Sequence, residues 1–206
     1  MSNIRLCVTF VAAFLLAVNV QVRAATDVEV LVGKLAQITS MSGQFEQVLL
    51  DETGETIESS RGQFVLQKPG RFYWLTTEPF EQELISDGET IWLYDPDLFQ
   101  VTVREVSEAM DKSPAHLLSA NAATLSKTYQ VERQSQNEFT LTPKEPQALF
   151  DTLVIGFDDN SVGLIRLNDA LGQSTVITLA DTQLNQPVDA SQFQFVVPQD
   201  VDVLVD

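Results

Sequence analysis

Side chains able to do covalent or metal chemistry are few in this chain and poorly grouped. One histidine, His116, and one cysteine, Cys7, stand far apart in 206 residues. A disulfide or a thiolate zinc cage needs partners that a single cysteine lacks, and a multi-histidine metal site needs histidines that are not there. Ser, His and Asp all occur, yet no Gly-x-Ser-x-Gly turn presents a nucleophile, and His116 lies in a helical stretch with no nucleophile motif nearby. Asp95-x-Asp97 and Asp158-Asp159-Asn160 carry oxygen ligands that calcium accepts, but both groups fall in expected turns, where Asp and Asn belong for backbone reasons. The chain is therefore read as having no catalytic residue, no metal site and no cofactor.

What the sequence does concentrate is apolar surface. An antiparallel sheet with one wet face alternates apolar and polar residues. Phe72-Tyr73-Trp74-Leu75, Ile91-Trp92-Leu93-Tyr94 and Leu153-Val154-Ile155 do not, so they place large apolar side chains on both faces. Such a sheet must be covered on both sides or curl so that its concave side encloses something. Two thin helical elements are the only cover on offer, which favours a cavity beneath a movable lid. A closed, tightly packed core without a cavity is the other outcome.

The elements that would position these side chains follow from periodicity. Val28, Leu31, Val32, Leu35 and Ile38 make one apolar stripe on a helix from about Asp27 to Thr39, with Thr26 or Asp27 as N-cap. Strand patterning then runs through Ser42–Leu50, Thr56–Gln67, Arg71–Thr76, Glu81–Ser86, Thr90–Tyr94 and Leu98–Val103. Asp51-Glu52-Thr53-Gly54 fits a four-residue hairpin loop, and Asp87-Gly88 between apolar runs is a strong hairpin signal. Glu105–Lys112 and Pro114–Thr124 read as two short helices, the second opened by Ser113-Pro114. Strands return at Lys127–Glu132, Glu138–Leu141, Leu149–Phe157, Val162–Leu167 and Gln173–Leu179, with a last extended segment at Phe193–Val197.

The ends and the charge set the compartment. Met1 to Arg5 form a short basic segment and Leu6 to Val18 an uncharged run too short for a membrane span, which needs ~20 residues. With small Val22 and Ala24 before the expected cut, residues 1–24 read as a secretory signal peptide and residues 25–206 as a single domain, soluble and periplasmic. Cys7 stands too near the start of the apolar run to accept lipid. Removing Arg5 and Arg23 without any acid takes the formal charge from −17 to −19. That excess repels phosphate backbones and argues against nucleic acid; it also disfavours lingering on anionic lipid.

The run from Gly62 through Lys68-Pro69-Gly70 to Trp74, then Ser86-Asp87-Gly88 to Asp95-Pro96 and Gln100-Val101-Thr102, resembles the LolA family, and Met41 to Gln47 looks like that family's first strand. The resemblance implies a fold that is mainly β with α: an unclosed antiparallel β-barrel of about eleven strands, covered by an N-terminal helix and a short helical lid around an apolar cavity. It implies a periplasmic carrier in a Gram-negative bacterium that takes lipoproteins by their acyl chains from an inner-membrane Lol ABC transporter to a LolB-type outer-membrane acceptor, working as a monomer. By match to family positions, Leu35, Ile38, Phe45 and Trp74 would line the cavity, Leu117 and Leu118 would belong to the lid, and Phe72 would sit near the mouth. Lys68 stands where the family usually has an arginine that latches the lid; an ammonium lacks the planar fork of a guanidinium. Ala115-His116 replaces bulky apolar residues common in the family's lid, and His116 is read as facing solvent.

Three rivals share the fold. An outer-membrane acceptor would itself be a lipoprotein, and no lipid-accepting cysteine is present. A LolA-like sensor would carry a second domain, for which residues 25–206 leave no room. A LolA-like carrier or sensor for another lipid or glycolipid is the alternative that stays open.

Overall fold

A computed structural model describes residues 25–106, 122–145 and 150–205, and twelve strands in it form one unclosed sheet. The expected signal peptide, most of the helical insert, and Leu117, Leu118 and His116 within it lie outside the described residues. Helix α1 (Asp27–Ala36) leads into β1 (Ser40–Leu50), β2 (Thr56–Gln67), β3 (Arg71–Glu78), β4 (Gln82–Asp87), β5 (Thr90–Asp95) and β6 (Gln100–Glu105). Helix α2 (Ala122–Thr128) precedes β7 (Tyr129–Arg133), β8 (Glu138–Pro143), β9 (Thr152–Asp158), β10 (Ser161–Asn168) and β11 (Ser174–Leu184). A 3₁₀ turn, Ala190–Phe193, and β12 (Asp202–Val205) follow. The strand order is β12-β6-β5-β4-β3-β2-β1-β11-β10-β9-β8-β7, every pair antiparallel except β12 with β6.

Helix α1 starts where its capping chemistry dictates. The Thr26 hydroxyl accepts from the Glu29 amide at 3.4 Å while the Glu29 carboxylate accepts from the Thr26 amide at 2.8 Å, a reciprocal box that satisfies two amides with no helical partner. It stops short of the expected Thr39 because another partner claims the next residues. The Asn185 side-chain oxygen accepts from the Thr39 amide and hydroxyl at 2.8 and 2.9 Å, and its amide nitrogen donates to the Gln37 carbonyl at 2.9 Å. Asn185 holds a left-handed φ of 57°, which Asn tolerates better than most residues. The α1–β1 junction is thereby fastened to the end of β11.

The strand count is twelve rather than about eleven, because Asp202–Val205 pairs with β6 despite its length. Of the expected extended segment Phe193–Val197, only Phe193 falls in the 3₁₀ turn, which the Asp189 carboxylate caps at the Ser191 amide at 3.0 Å; residues 194–197 follow it and join no strand of the sheet. Likewise α2 persists to Thr128, so β7 begins two residues later than the pattern suggested.

Both sheet faces are covered, unequally. On the inner face α1 and α2 bury Leu31, Leu35 and Leu125 among Phe139, Leu141, Leu153, Ile155, Phe157, Ile165 and Leu179 of β8 to β11. On the outer face the 3₁₀ turn packs against β3 and β4. Phe195 follows, with its ring 6.3 Å from Trp92 and 5.5 Å from Tyr94. This outer cover explains why Tyr73-Trp74 and Trp92-Leu93 are apolar in succession. Burial, reinforced by the charge of Glu83, pushes the Tyr73 phenol up to about 12.

Replacing Asn185 with Ala removes the clamp from an exposed junction and leaves a residue that resists positive φ. Urea denaturation is expected to show a loss of about 1 kcal/mol; no change would assign the junction's stability to packing alone.

Candidate functional site

The inner face of β3 to β5 is where helical cover runs out among the described residues. The register places Phe64, Trp74, Leu84 and Leu93 in one row across β2, β3, β4 and β5. Phe64 is buried at 1% exposure, whereas Trp74, Leu84 and Leu93 are each only half-buried. They form the apolar wall of an open-sided cleft of about 600 Å³. One cleft lined from β1 through β5 shows that the sheet curls around this face. Gln47, Ser60, Thr76 and Gln82 extend the wall in polar form, and Pro79, Phe80 and Leu98 stand at its rim. Four carboxylates, Glu58, Glu81, Asp95 and Asp97, border the same cleft, and among the described residues no lysine or arginine does.

Trp74 is held by a stack that crosses a strand. Phe45 on β1 lies opposite Gly62 on β2, and Trp74 on β3 lies opposite Phe64. With no side chain at Gly62, the Phe45 ring reaches over β2 and stacks on the Trp74 indole, centroids 4.0 Å apart and planes at 28°. Phe64 supports the indole from the side at 5.6 Å. A Cβ at Gly62 would collide with the Leu75 carbonyl and come 2.9 Å from the Phe45 ring.

Of the residues singled out from sequence, the structure brings Trp74 to the cleft. Phe45 is its buried support, and Phe72, two residues away on the same face of β3, is buried at 6% exposure. Leu35 and Ile38 pack from α1 and its C-terminal extension into the core beside Phe45. Leu84, Leu93, Phe80 and Leu98 were missed. A signal for the two leucines was present, since the Asp87-Gly88 turn fixes the β4–β5 register and so sets Leu93 opposite Leu84 and in line with Trp74.

Lys68 donates from Nζ to the Leu35 carbonyl at 2.6 Å, and its own amide donates to the Thr39 carbonyl at 2.9 Å. Its described partner is thus the C-terminal end of α1, where the Leu35 carbonyl also accepts from the Ile38 amide at 3.1 Å and a cation meets the negative end of the helix dipole. The lid it was expected to latch lies outside the described residues. Half-burial pushes the Lys68 ammonium below its usual range.

Among the described residues no group of three or more His, Cys, Asp or Glu is placed to hold a metal. The suspected calcium carboxylates do turn work: Asp95 accepts from the Leu98 amide at 3.0 Å, and Asp159 takes a positive φ of 51° between β9 and β10.

Two substitutions test this geometry. Gly62→Ala should cost more than about 2 kcal/mol in urea denaturation, because the obstacle is backbone and cannot move aside cheaply. For Lys68 the sign follows from the lowered value: the unfolded chain holds that proton more tightly, so stability rises with pH between the lowered value and 10.5. Lys68→Met should flatten that rise; an unchanged pH profile would mean the ammonium is solvated.

Against this geometry stand the likenesses to known proteins. The sequence profile of the family described as "Outer membrane lipoprotein carrier protein LolA" matches residues 36–196. The outer-membrane lipoprotein carrier protein of Chromohalobacter salexigens is 40% identical over 179 residues, covering 85% of each chain. That of Pseudomonas aeruginosa PAO1 is 39% identical over 201 residues, covering 95% of this chain and 96% of its own. Among solved structures, a LolA superfamily protein from Nitrosomonas europaea superposes with a TM-score of 0.50 at 14% identity, covering 84% of this chain and 99% of that one. An uncharacterized conserved protein from Thermus thermophilus gives 0.52 at 14% identity, covering 86% and 98%. At that identity the structures speak for the fold alone.

Proposed function

The chain belongs to the LolA family of outer membrane lipoprotein carrier proteins, and on that premise we propose that it carries lipoproteins across the periplasm with their acyl chains against the wall of Trp74, Leu84 and Leu93. The observation that supports this use of the cleft is the half-covered inner face. Where α1 ends, large apolar side chains continue across three more strands with nothing described over them. Exposed apolar surface of that kind on a soluble domain is usually a binding site.

Each methylene kept from water contributes about 0.8 kcal/mol, so a cargo with two or three long chains gains on the order of tens of kcal/mol from an apolar wall. Release requires that the wall not close tightly. A half-buried row with polar neighbours in the same cleft suits a carrier that must unload. In this reading Leu35, Ile38, Phe45 and Phe72 stiffen the wall from beneath, Leu117 and Leu118 cover it, and Lys68 holds the end of α1 against the β2–β3 turn. The donor is an inner-membrane Lol ABC transporter and the acceptor a LolB-type lipoprotein, with the carrier acting as a monomer after removal of residues 1–24. Relatives named as lipoprotein carriers favour lipoprotein over another lipid or glycolipid as cargo.

Purified chain lacking residues 1–24, incubated with spheroplasts, is expected to release outer-membrane lipoproteins as soluble one-to-one complexes. Leu93→Glu puts an unpaired carboxylate into the apolar wall and should lower the amount released at least about tenfold with the thermal transition preserved. Release of nothing by the unsubstituted chain, beside a working carrier from a relative, rejects the proposal.

A further inference from the structure

We propose that the outer edge of β12 is a strand-addition site, at which an extended apolar segment of a protein partner bearing lysine or arginine pairs as a further strand. Strand β12 ends the sheet. Its Asp202 amide donates to the Phe99 carbonyl at 2.8 Å, on the β6 side. Alternate residues of a strand address the same neighbour, so the amides and carbonyls of Val203 and Val205 point away from β6, and no described residue pairs with them.

The other end of the sheet is treated differently. Helices α1 and α2 both pack against β7, and the Arg133 amide there donates to the Asp27 carboxylate at 3.0 Å. Open edges invite pairing, and proteins usually blunt them with cover, charge or proline. Strand β12 is short and carries the charge of Asp202, but among the described residues no proline or cover shields Val203, Leu204 and Val205, which are 48%, 47% and 78% exposed.

Two further features favour a peptide over solvent as the neighbour of this edge. The carbonyl that anchors β12 belongs to Phe99, a bulky residue held at a φ of 52° and 64% exposed, beside Leu98 at 67%. A strained aromatic displayed to water next to an open edge supplies an apolar side-chain contact beside main-chain pairing. Leu204 aligns with Thr102 and so with Leu93, on the cleft face. An added strand would therefore continue the wall that begins at Trp74.

Charge selects among occupants. Residues 199–206 contain Asp200, Asp202 and Asp206 and no base, and the cleft border adds Asp95 and Asp97. A second copy pairing edge to edge would set these carboxylates against each other, whereas a lysine- or arginine-bearing strand meets them favourably.

The test uses the chain without residues 1–24, isotopically labelled, and a short peptide alternating lysine and valine. The peptide should shift the Val203 and Val205 amide resonances. Val203→Pro, which removes an outward donor while leaving the ladder to β6, should weaken binding by about tenfold, and Asp202→Lys should weaken it without touching the backbone. Both variants should melt as the parent does and take up a fluorescent acyl probe equally, which separates this site from the cleft. Equal binding of a proline-interrupted peptide of the same charge overturns strand addition in favour of diffuse attraction. Self-association through β12 in peptide-free solution overturns it in favour of a second copy.

Discussion

Among the described residues, a twelve-stranded sheet that curls without closing has more apolar inner face than the ten-residue α1 and the seven-residue α2 can cover. That shortage is the constraint from which the rest follows. Over β8 to β11 the described helices bury most of the inner side chains; over β3 to β5 Phe72 and Ile91 are buried as well, while the row of Trp74, Leu84 and Leu93 stays only half-buried. The inner face is therefore core over β8 to β11 and, along the row of Trp74, Leu84 and Leu93, the wall of a cleft.

The boundary between these two regions must be rigid, or the cleft would collapse onto the core. The Phe45–Trp74 stack over Gly62 marks that boundary on the sheet, tying three strands with one pair of rings. On the helical side Lys68 and Asn185 hold the end of α1 from two directions, one from the β2–β3 turn and one from the end of β11. Neither cap contributes much energy alone, since each sits where water competes. Together they fix where the cover stops, and hence where the cleft begins.

Carrying acyl chains asks for surface rather than reactive groups, and the described residues supply surface. Carboxylates border the cleft and no described base does, so the mouth repels anionic headgroups while the wall attracts hydrocarbon. The same acidic character continues to β12, so the chemistry of the cleft mouth and of the open sheet edge is one field rather than two.

The sequence by itself determined most of the strands, the capped first helix, the acidic balance and the presence of apolar residues on both faces. These follow from local periodicity and turn chemistry, as at Asp87-Gly88, where two residues set a register. It also pointed to Trp74 by its bulk on a strand with apolar neighbours on both sides. What it could not determine is which apolar residues are wall and which are core. Phe45 and Leu93 look alike in the chain, yet one is buried beneath an indole and the other borders a cleft, because the difference lies in what crosses above them from distant segments. The early stop of α1 at Ala36 and the late strand β12 were hidden for the same reason. Asn185 and Phe99, the residues that decide them, act across 146 and about a hundred positions of sequence, a separation that only the folded sheet removes.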